Sequence, residues 1–102
     1  METIAGLENV PDDIRHDLER GVDILKGGGC SEIYLFGSVA EGRVTTRSDI
    51  DFAVRGCPPN HFFKIQGKLL MELGRSVDLV NLDTDADLAS FLEREATLVD
   101  VG

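Results

Sequence analysis

The period of the apolar residues changes along this chain, and that change limits the folds open to it. Ile14, Leu18, Val22 and Leu25 recur at helical spacing. The next apolar stretch, Ile33 to Phe36, is continuous, and the one after it alternates: Ile50, Phe52 and Val54 with Asp49, Asp51 and Ala53 between them. Spacing of three and four places side chains on one face of a helix, whereas alternation places them on one face of a strand. A chain that passes repeatedly from one period to the other packs helices on a sheet.

The punctuation sets the boundaries. Pro11 suits a first helical position, Asp12 and Asp13 favour a helix start, and Gly27 ends a helix over Pro11 to Lys26. The glycines at 27–29 form a loop, and no Lys-Ser/Thr follows to make it a P-loop. Ser31 to Phe36 reads as a buried strand, broken by Gly37-Ser38. A short helical turn through Val39, Ala40 and Glu41 ends at Gly42, and Arg43 to Ser48 is a polar loop. Asp49 to Val54 is a second strand, and Cys57-Pro58-Pro59 breaks it. Asn60 to Leu73 is a helix with Phe62, Ile65, Leu69 and Leu73 on one face, stopped by Gly74. Ser76 to Leu82 is a third strand, and Thr84-Asp85-Ala86-Asp87 reads as a capping box for a last helix to about Leu98. The expectation is an α/β fold with a small mixed sheet of about three strands flanked by helices. No repeat, low-complexity segment or linker interrupts it, so residues 1–102 read as a single domain.

Composition narrows the function. The net charge is −9, from ten basic residues against nineteen acidic, with no basic run. Binding to long nucleic acid needs clustered Lys and Arg, so it is not expected. No apolar run approaches the roughly 20 residues that span a bilayer, and the N-terminus lacks the basic and apolar regions of a signal peptide. Cys30 and Cys57 lack metal-ligand spacing, and they read as two reduced thiols of a cytoplasmic protein.

The candidate chemistry lies between Phe36 and Val54. Residues two apart on a strand project to the same side, so Asp49 and Asp51 present two carboxylates to one point, opposite Ile50, Phe52 and Val54. Like charges that close repel, and a bound cation removes the repulsion. Hard carboxylate oxygens suit Mg²⁺ or Mn²⁺, which take further ligands from substrate phosphates. Such a pair can bridge two ions, the arrangement used for in-line displacement at phosphorus. The bland reading is an exposed strand or turn with acidic side chains. Gly37-Ser38 lies at a strand end, where backbone N–H groups and a hydroxyl can cradle phosphate. Asp78 sits among Val77, Leu79 and Val80, so burial is expected there. A buried carboxylate needs a partner or a metal, and a neighbouring strand would bring this one to the same pocket.

Taken together, Gly37-Ser38, a ten-residue gap, Asp49-x-Asp51 and a strand-borne Asp78 resemble the nucleotidyltransferase superfamily that includes DNA polymerase beta. The short length is most similar to the minimal nucleotidyltransferases, the MNT-domain proteins, and the resemblance runs from the first helix to the last. It implies the polymerase beta-like fold. It implies that Asp49, Asp51 and Asp78 are catalytic and hold two Mg²⁺ or Mn²⁺ ions, with Asp78 as general base. Gly37, Ser38, Arg47 and Ser48 would hold the nucleotide, with ATP as substrate. It further implies an antitoxin that transfers AMP to a hydroxyl, a tyrosine, of a HEPN-domain ribonuclease toxin, the two forming a hetero-oligomer. The alternatives are an antitoxin that acts by contact alone and a small-molecule adenylyltransferase, although 102 residues leave little material for an acceptor pocket. One position departs from the family: Glu41 stands where many relatives carry Arg in the pattern GSxARG, and Arg43 and Arg47 are the nearest cations in sequence. His16 and His61 read as surface or packing residues and Tyr34 as core.

Overall fold

Two layers of apolar side chains close on opposite faces of one four-stranded sheet. The computed structural model describes residues 10–41 and 49–102. The elements in order are α1 (Asp12–Gly27), β1 (Glu32–Phe36), the single turn α2 (Gly37–Ala40), β2 (Ile50–Arg55), a 3₁₀ turn (Pro59–His61), α3 (Phe62–Glu72), β3 (Val77–Asn81), α4 (Ala86–Glu95) and β4 (Val99–Asp100). The expected Gly42, Arg43, Arg47 and Ser48 lie outside the described residues, as does the Ser38 side chain.

The strand order is β3-β2-β1-β4. β1 pairs antiparallel with both β2 and β4, and β2 pairs parallel with β3 across the α3 connection. The sheet is mixed, as expected, but it has a fourth strand. The last helix stops at Glu95 instead of about Leu98, and the chain returns as β4, with Val99 opposite Leu35 and Asp100 opposite Tyr34.

Alternation sorts the strand residues as the sequence requires. Ile33, Leu35, Ile50, Phe52, Val54 and Val77 form one face with Ile14, Leu18, Val22 and Leu25 of α1 and Ile65 and Leu69 of α3. Full burial of each such side chain contributes about 1.5–3 kcal/mol, so this layer carries most of the packing. Ala53 lies on the opposite face with Leu82, Ala89 and Leu92, and half-buried Tyr34, Phe36 and Val80 pack beside them. Tyr34 is therefore only half in the core, and its hydroxyl donates to Glu32 Oε1 at 2.7 Å.

Three further details differ from the sequence reading. Helix capping before α4 falls to Asp85, whose carboxylate accepts from the Leu88 N–H at 3.0 Å, in place of a Thr84 box. The helix expected from Asn60 begins as a 3₁₀ turn and becomes α-helical at Phe62. Cys30 and Cys57 are joined in a disulfide and are not two reduced thiols. The register accounts for this: Glu32 faces Arg55, so two residues further out the same antiparallel pair brings Cys30 opposite Cys57. No helix among the described residues is long and apolar enough to cross a membrane.

Candidate functional site

Three strand segments deliver the site to one end of the sheet. In β1, Phe36 faces Asp51 of β2. Asp51 in turn lies beside Asp78 of β3 in the parallel register. Neighbouring strands run about 4.8 Å apart, so the two carboxyls, on the same face, are within reach of each other. α4 covers this face further along, at Ala53 and Leu82, and does not reach the Asp51–Asp78 end.

Burial divides the three aspartates. Asp51 is half-buried, while Asp49 and Asp78 are exposed. The expectation of a buried Asp78 is corrected here: alternation turns it to the face opposite buried Val77, where it is exposed. Asp49 also differs from the reading, because β2 begins at Ile50 and Asp49 lies one residue outside the strand.

The electrostatics centre on Asp51. Burial, followed by a hydrogen bond with Asp78 and repulsion from Asp78 and Asp49, pushes its carboxyl from 3.8 up to about 6. When protonated, Asp51 hydrogen-bonds Asp78. When it is not, negative charge accumulates at one point.

Gly37 makes room for that point. Its φ is +74°, a left-handed conformation that suits glycine. A Cβ built on it would overlap Asp51 Oδ2, so the carboxylate occupies the space where a side chain would begin. Phe36 enters the turn extended, and Gly37 starts the single turn α2, which closes with the Glu41 N–H donating to the Gly37 carbonyl at 3.1 Å. The leading N–H groups of such a turn have no partner within it. The turn starts directly beside the Asp51 carboxylate. Glu41, the departure from the family pattern, is exposed at the end of that turn.

The sequence reading missed one feature that holds Asp78 in place. Three residues before it, Arg75 bonds Asp17 through Nε at 2.9 Å and Asp13 through an Nη at 3.3 Å. Arg75 and Asp17 side chains are 12% and 15% exposed, so this ion pair is shielded and fixes the start of β3 to α1. The only sequence signal for it was an arginine just before a strand and carboxylates on a helix start.

Among the described residues, no three of His, Cys, Asp and Glu are gathered as metal ligands. The donor set nevertheless fits a hard divalent cation. The side-chain donors are all carboxylate oxygens, and burial, then repulsion from Asp78 and Asp49, makes the charge of the central one costly unless a cation balances it. His16 and His61 are exposed and take no part.

The family model described as Polymerase beta, Nucleotidyltransferase matches residues 22–99. No curated protein matches the chain. Among solved structures, a crystal structure of a toxin-antitoxin with AMP-PNP superposes with a TM-score of 0.61 at 24% identity, over 86% of this chain and 72% of that one. A mutant of the toxin-antitoxin MntA-HpeT superposes at 0.60 with 27% identity, over 80% and 70%. The toxin-antitoxin MntA-HepT superposes at 0.59 with 23% identity, over 82% and 69%. The likenesses below 25% identity establish the fold.

Proposed function

The chain belongs to the polymerase beta nucleotidyltransferase family, and on that premise we propose that it is an antitoxin that transfers AMP from ATP to a hydroxyl, a tyrosine, of a HEPN-type toxin partner. The observation that carries the reading is the Asp51–Asp78 pair seated against Gly37, with the Asp51 carboxyl pushed up to about 6. The toxin-antitoxin complexes among the structural neighbours supply the class of partner.

Asp49, Asp51 and Asp78 would hold two Mg²⁺ or Mn²⁺ ions, and these would supply neutralisation of the triphosphate charge and a lower pKa for the attacking hydroxyl. Gly37 and Ser38 hold phosphate through the turn that follows β1, and Arg47 and Ser48 complete the nucleotide site. Asp78, exposed at the mouth of the site, takes the hydroxyl proton as general base. The hydroxyl oxygen bonds to the α-phosphorus as the bond from that phosphorus to the bridging oxygen breaks. AMP is transferred and pyrophosphate leaves with the bridging oxygen. Most of the rate enhancement comes from positioning and charge neutralisation.

Glu41 favours a second reading, inhibition by contact alone, because it sets a carboxylate where relatives place a cation near the nucleotide. One experiment separates the two. The protein is incubated with [α-³²P]ATP, Mg²⁺ and the protein encoded by the adjoining reading frame, in parallel with an Asp49→Asn/Asp51→Asn variant. Label on the partner with wild type only supports transfer. No label, with equal partner binding by both forms, removes the enzymatic reading.

A further inference from the structure

The outward face of α3 is more apolar than a solvent-facing helix requires. Phe63, Leu70 and Met71 are 81%, 60% and 88% exposed. At roughly 100° per residue, Phe63, Gly67, Leu70 and Met71 fall within a sector of about 100°. Gly67 sits in the middle of this stripe, where glycine weakens a helix relative to alanine. Among the described residues nothing lies within 4 Å of a Cβ built there, so no described neighbour requires the glycine. A neighbour from outside would use the gap, since a missing side chain lets a second backbone come close.

Charge gives the neighbour's chemistry. The protein carries −9 overall, yet its three lysines, Lys26, Lys64 and Lys68, all lie in α3 or in the last turn of α1. A groove of about 290 Å³ runs between the two helices, lined by Asp23, Gly27, Gly28, His61, Lys64 and Lys68. Lys68 Nζ is 3.9 Å from Glu72 Oε2, and Glu72 also receives Arg20, so the flank remains positive. A second copy of the chain is disfavoured, because it would set lysine against lysine and bring two charges of −9 together. The C-terminal end of α3 leads directly into β3, which carries Asp78, so a helix laid along α3 reaches the end of the molecule where an acceptor hydroxyl must arrive.

We propose that this face of α3 docks a helix of the toxin partner whose apolar stripe is flanked by carboxylates; the inference rests on the partner reading above. It is a helix-against-helix contact with a basic flank, so salt weakens it.

The test measures complex formation with the protein encoded by the adjoining reading frame, by calorimetry at two salt concentrations. The proteins compared are wild type, Gly67→Leu, Lys64→Glu/Lys68→Glu and Asp51→Asn/Asp78→Asn. A Cβ at residue 67 meets no described atom within 4 Å and leucine favours a helix over glycine, so Gly67→Leu is expected to fold. The thermal shift with ATP and Mn²⁺ confirms an intact nucleotide site. The expected result is binding weakened tenfold or more by both α3 variants, with an unchanged nucleotide shift, while the aspartate variant binds as wild type. Full-strength binding by both α3 variants overturns the proposal. So does sedimentation of wild type alone as a dimer that Gly67→Leu abolishes, because a second copy then covers the face. Complex lost on Gly67→Leu while wild type transfers no AMP keeps the docking face and removes only the enzymatic reading.

Discussion

Replacing Gly37 with alanine tests the site geometry most directly. Two costs follow from the structure. An alanine held at the φ of +74° is strained by about 1–2 kcal/mol. Its Cβ also overlaps Asp51 Oδ2, so the carboxylate must move. For a domain of this size 1 kcal/mol lowers Tm by about 4–8 °C, so a drop of about 5–15 °C is expected by calorimetry. The displacement matters more for activity, since misplacing a reacting group by about 1 Å can lower the rate about 100-fold. The assay is AMP transfer from labelled ATP at saturating Mn²⁺, measured well below the variant's Tm. Gly27→Ala is the control, because a Cβ there meets nothing within 4 Å and α1 ends at that residue. If Gly37→Ala retains wild-type Tm and transfer within about twofold, the carboxylate does not depend on the glycine and the reasoning fails.

Further expectations follow from the same structure. Because the folded-state Asp51 carboxyl is pushed up to about 6 from 3.8, the folded protein binds that proton more tightly than the unfolded chain, so stability falls as pH rises from about 4 to 6. Without metal, Asp51→Asn is therefore more stable than wild type at pH 7 and loses that advantage below pH 4, as urea titrations across pH will measure. Saturating Mn²⁺ reverses the order at pH 7, because only wild type keeps the full carboxylate set. Replacing Cys30 and Cys57 with serine opens a crosslink of sequence separation 27, which costs about 3.5 kcal/mol on loop-closure grounds and is read from the urea midpoint. Asp85→Ala removes the cap on Leu88 N and costs about 1 kcal/mol in the same assay.

The sequence was most legible where period alone decides structure. The α1 face at Ile14, Leu18, Val22 and Leu25 and the β2 alternation at Ile50, Phe52 and Val54 are all buried as read. The parts that escaped depend on residues far apart in the chain. Two residues, Val99 and Asp100, show no pattern of their own and become a strand only because β1 offers Leu35 and Tyr34 as partners. The disulfide is visible only once the β1–β2 register is known, since nothing local pairs Cys30 with Cys57. Burial at Asp78 was misread from apolar neighbours. Adjacent strand residues face opposite sides, so Val77 could be buried while Asp78 was exposed.

The site shows the same division, and it changes the meaning of two aspartates spaced two apart. Sequence spacing treats Asp49 and Asp51 as equivalent, but the strand begins between them and only Asp51 is held in the sheet. Asp78, contributed from beyond α3, lies beside Asp51 in the parallel register, and Asp49 adds its charge from outside the strand. The central group is therefore the one that burial and then repulsion destabilise, and it is also the one that Gly37 admits to the turn. A cation binding there relieves a cost already present in the folded state, so cation affinity and fold stability are linked through this one carboxyl. That linkage explains why an exposed pair of acids would not do. Asp49 and Asp78 meet solvent, whereas half-buried Asp51 carries its charge at a cost that a proton below about pH 6, or a cation, would relieve.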